Sequence, residues 1–260
     1  MIHGNGADMA QVANGTADLV ITSPPYFSEE TEALLKRGGP FSTQDLDTVR
    51  AQATEFALTL RPVFAEVARV LAPGRAFVLQ TKDLRVGDFL LELADLHREM
   101  AESVGLYLCT RVLWERPWRR RRGIGRRELI ESAQSVGGFR ADDVEEFLIF
   151  SDAGGLLPRD AVVELPEAEI RECVRPLWVL PPGAGPRPHP YQSPASVLRR
   201  LMTLLSAPGD VVVDPFAGHA TVLRIAVRMG RRAIGYEIDR GYAETAERLL
   251  ELAAKNAEKQ

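Results

Sequence analysis

The stretch from residue 211 to 257 constrains the fold more than any other. A fully apolar run, Val211–Val213, ends in Asp214-Pro215-Phe216-Ala217-Gly218; a helical pattern begins at once over 220–229, and a second apolar run, AIGYEI, closes on Glu237 ahead of another helix at about 240–257. A strand with no polar alternation must be covered on both faces, which points to a parallel sheet sandwiched between helices. Ligands of such sheets sit at the carboxyl ends of the strands, where an acidic residue can accept hydrogen bonds from both hydroxyls of a ribose. The turn lacks GxGxxG. A pyrophosphate needs that close backbone approach, whereas an adenosyl sulfonium does not. On this segment alone an ordinary βαβ turn with a helix-adjacent glycine stays open, since fold does not imply function.

The rest of the chain alternates in the same way. A short strand at Ile2 and His3, a helix from about Asp8 to Ala13 and a buried strand at Asp18–Thr22 open it. A polar, glycine-containing stretch over 28–44 precedes a helix with an apolar face of Phe56, Leu60, Phe64, Val67 and Val70, which stops at the turn Ala72-Pro73-Gly74. A strand (Arg75–Gln80), an amphipathic helix (about 88–103) and a strand (106–114) follow, with further strands at Glu146–Ser151 and Val162–Leu165. The Pro- and Gly-rich stretch 176–194 reads as an irregular connection, and Ser193-Pro194 as the N-cap and first-turn pair of a helix over 195–205. The pattern predicts one α/β domain with a mostly parallel, doubly covered sheet and an inserted lobe.

At 260 residues and 45% hydrophobic composition the chain can bury a full core. It contains no run of about 18 apolar residues and no basic-then-apolar leader pattern near Met1, so a cytoplasmic protein is expected, with no membrane partner. Cys109 and Cys173 stand far apart without CxxC or a nearby histidine cluster, so neither a disulfide nor a metal site is expected and buried, inert thiols are the default. The net charge of −4 argues against uniform coating of nucleic acid. Segment 111–127, however, holds eight arginines and one glutamate, a local +7 that leaves −11 (−4 − 7) on the remainder. Such a patch suits phosphate contact. With 28 arginines to four lysines, a solvated arginine-rich loop is the plain alternative.

The other chemically loaded motif is Thr22-Ser23-Pro24-Pro25-Tyr26, at the end of an apolar strand. An exocyclic amine of a nucleobase is a poor nucleophile because its lone pair is delocalised into the ring. Two acceptors on its N–H groups favour a pyramidal nitrogen, and the Ser23 hydroxyl and Pro24 carbonyl can both accept. Tyr26 offers a face for an extruded base, worth about 1–3 kcal/mol. A polyproline-type turn or a PPxY-like docking peptide is the competing reading.

In this order the motifs resemble the DNA amino-methyltransferases of the permuted, β-type arrangement, over nearly the whole chain: LVITSPPYF, RVLAPGRAFVL, VEEFLIFSD, PLWVLP, HPYQSP, DPFAG, and IGYEID with Tyr242 and Arg248 behind them. The resemblance implies a Rossmann-like sheet with S-adenosylmethionine as cofactor and DNA as partner. It implies that Ser23, Pro24, Pro25 and Tyr26 hold the target base, and that Asp214, Phe216, Gly218 and Glu237 bind the adenosyl and methionyl parts together with Thr22, Pro215, Ala217, His219, Thr221 and Ile238. His189, Ser193 and Pro194 would wall the pocket, and Asn5 or Asp8 would lie near the adenine. Two departures stand out. The family's DPFxGSGTT is here Gly218-His219-Ala220-Thr221, bulkier near the cofactor carboxylate, and its early Gly-Asp is spread over Gly4-Asn5-Gly6-Ala7-Asp8.

The reaction implied is in-line displacement at the sulfonium methyl, with no metal and no covalent enzyme intermediate; positioning can supply about 7–11 kcal/mol of the barrier. In the family, serine before Pro-Pro goes more often with cytosine N4, and aspartate or asparagine with adenine N6. The expected division is a catalytic half at 1–114, a recognition insertion with a strand returning to the sheet at 115–180, and a cofactor half at 181–260. Target choice would come from the insertion together with Trp114, through Trp118, Arg119, Arg120, Arg121, Arg122, Arg126 and Arg127, either on phosphates or on guanine edges. The insertion is short, so a brief recognition sequence, a homodimer or a partner chain is expected. An RNA or small-molecule methyltransferase, or an idle cofactor-binding scaffold, remains a rival.

Overall fold

The computed structural model describes residues 1–36, 42–86, 89–115, 144–157, 165–180 and 194–257. The elements are β1 (Ile2–His3), β2 (Ala17–Thr22), α1 (Glu29–Lys36), α2 (Thr43–Val70), β3 (Leu71–Thr81), β4 (Leu84–Val86), β5 (Phe89–Leu91), α3 (Leu93–Glu102), β6 (Tyr107–Glu115), β7 (Val144–Ser151), α4 (Glu167–Cys173), β8 (Leu177–Val179), α5 (Ala195–Leu205), β9 (Val211–Asp214), α6 (Thr221–Arg228), β10 (Arg232–Glu237) and α7 (Arg240–Ala257). Eight strands form one sheet in the order β1-β10-β9-β2-β3-β7-β6-β8, and β4 and β5 make a separate antiparallel hairpin. All pairings in the large sheet are parallel except those of β7 with β3 and β6.

Each central strand feeds both faces, as its unbroken apolar sequence requires. Val20, Phe77, Leu79, Phe150 and Val213 pack with Phe64 and Val67 of α2 on one side. Leu19, Ile21, Val78, Phe147 and Val212 pack with Leu198 and Leu201 of α5 and Val222 and Ile225 of α6 on the other. From β9 the chain proceeds through α6 to β10, and from β2 through α1 and α2 to β3 on the opposite side. Neighbours β2 and β9 therefore form a topological switch point, where a crevice opens at the strands' carboxyl ends.

The long α2 starts with a capping box: Ser42 Oγ accepts the Asp45 amide, and the Asp45 carboxylate accepts the Ser42 amide at 2.9 Å. It ends where β3 begins, so Ala72-Pro73-Gly74 is not the turn the sequence suggests. It lies inside an 11-residue strand, with Gly74 at φ +70° and the register against β2 shifting between Ala17 and Leu19. The left-handed glycine makes an irregularity in the strand rather than ending it.

Several other expectations are corrected. Residues 8–13 are turns, not a helix, because distant side chains take their backbone groups: Glu66 accepts the Met9 amide at 2.8 Å, and Arg69 donates to the carbonyls of Met9 and Val12, each at 3.0 Å. The Glu66–Arg69 pair lowers the Glu66 pKa and raises that of Arg69. The helix expected from about 88 starts at Leu93, after the β4–β5 hairpin. The polar stretch 28–44 contains α1, and the irregular stretch contains β8. Cys109 is exposed. Trp114 is not free to read DNA: it is fully buried in the core opposite Trp178, with its indole N–H on the Leu180 carbonyl at 2.9 Å. The strand expected from Val162, the arginines of 116–127, Trp118, His189 and Ser193 lie outside the described residues.

Candidate active site

The carboxyl ends of β2 and β9 are tied by a side-chain hydrogen bond. Thr22 Oγ1 donates to Asp214 Oδ1 at 2.6 Å across 192 residues of sequence, with both side chains buried. The two motifs thus open onto one cavity of about 550 Å³. Ser23, Pro24, Pro25 and Tyr26 line it from one side, and Asp214, Phe216, Ala217, Gly218, His219, Thr221, Glu237 and Ile238 from the other.

The cofactor-side turn is shaped by close backbone packing. A Cβ on Gly6 would come within 2.6 Å of the Pro215 carbonyl oxygen, and one on Gly235 within 2.3 Å of Leu223. Both glycines let β10 and the opening loop press against the turn. Asp214 Oδ1 also accepts the Phe216 amide at 3.0 Å. Burial pushes the Asp214 carboxyl up to about 7, against the opposing pull of the Thr22 and Phe216 donors, and the Glu237 charge adds to the rise. Glu237 itself is held by the Gly218 amide on one oxygen and the Asp239 amide on the other, both at 2.9 Å. A carboxylate has about four lone-pair sites, so both oxygens keep capacity for further donors.

This donor set suits S-adenosylmethionine. A buried carboxyl at the cavity floor matches a cationic sulfonium or ammonium, a second carboxylate at the end of the next strand matches a ribose diol, and Phe216, Ile238 and Tyr242 supply apolar faces for an adenine. Among the described residues, no group of three His, Cys, Asp or Glu side chains could hold a metal ion, and no helix is long and apolar enough to cross a membrane.

Some expected residues stand elsewhere. Thr22 lies behind the cavity wall, and Pro215 is buried under Gly6. Pro194 is the buried N-cap of α5 and makes no side-chain cap. Asn5 and Asp8 are exposed and bond within their own loop, to the amides of Ala7 and Ala10. That loop does border the site: Gly4 donates to the Glu237 carbonyl at 2.9 Å, and the His3 ring bonds the Ile238 carbonyl at 3.1 Å.

Three residues not singled out in the sequence also line the cavity, Phe27, Glu32 and Val222, as does Tyr242, which the resemblance had set behind IGYEID. Tyr242 packs on His219 with ring centroids 4.9 Å apart, an aromatic pair made possible by the departure from the family's loop. Glu32 arrives on α1, whose N-terminal signal was present: Ser28 Oγ accepts the Thr31 amide at 3.3 Å and the Ser28 carbonyl that of Glu32 at 3.0 Å.

The N6/N4 methyltransferase family model, described as DNA methylase, matches residues 17–248. The type II methyltransferase M.MjaI of Methanocaldococcus jannaschii is 25% identical over 283 residues, spanning 98% of this chain and 92% of its own. The DNA adenine methyltransferase YhdJ of Escherichia coli is 42% identical over 66 residues, a quarter (25%) of this chain and 22% of its own length. A Thermus thermophilus structure assigned provisionally as a DNA modification methylase superposes with a TM-score of 0.66 at 25% identity, covering 95% of this chain and 93% of that one. The cytosine-N4-specific PvuII DNA methyltransferase shares the fold at a TM-score of 0.66 and 18% identity, covering 99% of this chain and 92% of its own.

Proposed function

The chain belongs to the DNA methylase family of N6/N4 amino-methyltransferases, and from that premise we propose that it methylates the exocyclic N4 of cytosine in DNA, with S-adenosylmethionine as methyl donor. One observation carries the reading: the SPPY and DPFAG turns end adjacent strands and open onto a single cavity large enough for a nucleobase beside a cofactor.

The cofactor supplies a methyl group already activated on a sulfonium. The chain's residues do the rest by placement. The Ser23 hydroxyl and Pro24 carbonyl accept from the amine's N–H groups, which directs the nitrogen lone pair at the methyl carbon. Tyr26, partly exposed and with Lys82 Nζ 6.0 Å from its ring centroid, stacks on the extruded base. Asp214 holds the cationic end of the cofactor, and Glu237 its ribose. The segment at 115–180, with Trp118 and the arginines from Arg119 to Arg127, serves target recognition.

Serine ahead of Pro-Pro is what favours cytosine N4. Adenine N6 is the second reading, favoured by the local 42% match to an adenine methyltransferase. Mass spectrometry of nucleosides from unmethylated DNA incubated with protein and isotopically labelled cofactor decides between them. A labelled N4-methyl-2′-deoxycytidine supports the first reading, a labelled N6-methyl-2′-deoxyadenosine replaces it with the second, and no labelled nucleoside despite cofactor binding overturns both.

A further inference from the structure

Thr22 is buried to 1% exposure and contributes no surface to the cavity, yet it spends its hydroxyl on the one carboxylate shared between the two motifs. A threonine at the end of an apolar strand needs no such partner. β-branched hydroxyl side chains pack well in strands and can satisfy themselves on nearby backbone. Here the hydroxyl reaches across the switch point instead. It meets the oxygen of Asp214 that also accepts the Phe216 amide, so a single carboxylate oxygen links the β2 end, the β9 end and the first residues of the cofactor turn.

We propose that Thr22 is a positioning residue: through Asp214 it sets the spacing between the target-base turn and the cofactor turn, and it holds Asp214 as an ionised acceptor for the cofactor's positive charge. This deepens the methyltransferase reading and rests on it for the identity of the ligand, although the bond itself exists in the free protein. The Thr22 bond favours the ionised form of Asp214. The hydroxyl is a donor to the carboxylate, opposed by burial and by the charge of Glu237 at the end of β10. The other titratable groups facing the cavity are Glu32 from α1, His219 after the turn and Tyr242 from α7.

The test is the titration of Asp214 itself, followed by carboxyl carbon NMR in the cofactor-free protein, for wild type, Thr22→Ser and Thr22→Val. Losing a hydrogen bond to a charged acceptor corresponds to about one pH unit or more. Thr22→Val is therefore expected to raise the Asp214 midpoint by that amount, and Thr22→Ser to restore it. An unchanged midpoint in Thr22→Val overturns the proposal, whatever happens to thermal stability. If Thr22→Val does not fold, Thr22→Ala in wild type and in Asp214→Asn gives the second readout: a loss of cofactor affinity with Asp214 present that vanishes in Asp214→Asn supports the coupling, and equal changes in both, or none in either, overturn it. Calorimetry across pH adds the functional arm, in which the acid limb of cofactor binding shifts upward with the NMR midpoint. Binding with a normal NMR shift but no methyl on any DNA base sinks the methyltransferase reading and leaves Thr22 in its role.

Discussion

The Gly218 amide sits 2.9 Å from a carboxylate oxygen of Glu237, so the residue proposed to take the ribose also fastens the turn beside it. The turn needs fastening. Gly218 and Ala220 both have positive φ, 49° and 57°, and α6 starts without a side-chain cap.

If Glu237 accepts both ribose hydroxyls as proposed, its replacement by alanine removes two hydrogen bonds to the cofactor and releases the turn. At about 1.5–3 kcal/mol for each bond to a charged group, cofactor affinity should fall about 100-fold or more. The rate at saturating cofactor should change only severalfold. Calorimetry and single-turnover methyl transfer measure the two; an unchanged dissociation constant would remove Glu237 from the binding role.

Ser23→Ala should do the reverse. The hydroxyl is needed when the amine pyramidalises, not when the cofactor binds, so a loss of one acceptor at about 1–2 kcal/mol lowers the single-turnover rate about 5- to 30-fold and leaves cofactor affinity intact. Equal losses in both quantities would show that the two turns do not divide the labour.

The pH dependence of stability follows from two buried groups with opposite signs. Asp214 has a folded pKa raised from 3.8 to about 7, so the folded state binds its proton more tightly and this contribution is lost as pH rises from about 4 to 7. His97, buried against Thr81 with its Nδ1 2.8 Å from the hydroxyl, is lowered from 6.5 to about 4; its contribution is lost as pH falls through the same window. The two slopes oppose each other in wild type. In Asp214→Asn only the His97 slope remains of the pair. Urea melts at pH 5 and 7 should show the variant gaining stability relative to wild type with rising pH, by about 2 kcal/mol over these two pH units. A constant difference between them across this range would rule out the raised Asp214 carboxyl.

How much of this was legible in the sequence varies with the range of the interaction responsible. Apolar runs bounded by turn residues located β2 and β9 almost to the residue; the Ser193-Pro194 start signal gave α5 at 195–205, although Pro194 itself is the N-cap, and the helical pattern gave α7 at 240–257, because these signals are local. The misread helix at 8–13 failed for a non-local reason: its backbone is claimed by Glu66 and Arg69 of α2. Trp114 looked like a recognition residue beside an arginine cluster, and only the pairing of β6 with β8 buries it. In the site, both motifs were legible as strand ends, but their junction through Thr22 and Asp214 was not, since no periodicity reports a contact 192 residues apart. Glu32 was missed because a short polar helix carries little apolar pattern, although Ser28 marked its start.

Ala220 is the only non-glycine residue with positive φ among the described residues, and its side chain is fully buried against Ala217, Leu223 and Ala246. The left-handed conformation costs alanine about 1–2 kcal/mol, and glycine would escape it. Glycine would also lose a buried methyl, worth about 0.8 kcal/mol, and would gain freedom in the unfolded chain worth about 0.4–1 kcal/mol. These effects nearly cancel, so Ala220→Gly should shift the unfolding free energy by less than about 1 kcal/mol. Valine has no such balance: it is β-branched, so the left-handed backbone is a severe outlier for it, and its two extra methyls enter a space already filled by Ala217, Ala246 and Leu223. Ala220→Val should destabilise by about 3 kcal/mol or more and weaken cofactor binding, since the strain falls one residue from His219 at the cavity wall. Chemical denaturation of the two variants checks both, and a tolerated valine would mean that the turn is free to leave its left-handed geometry.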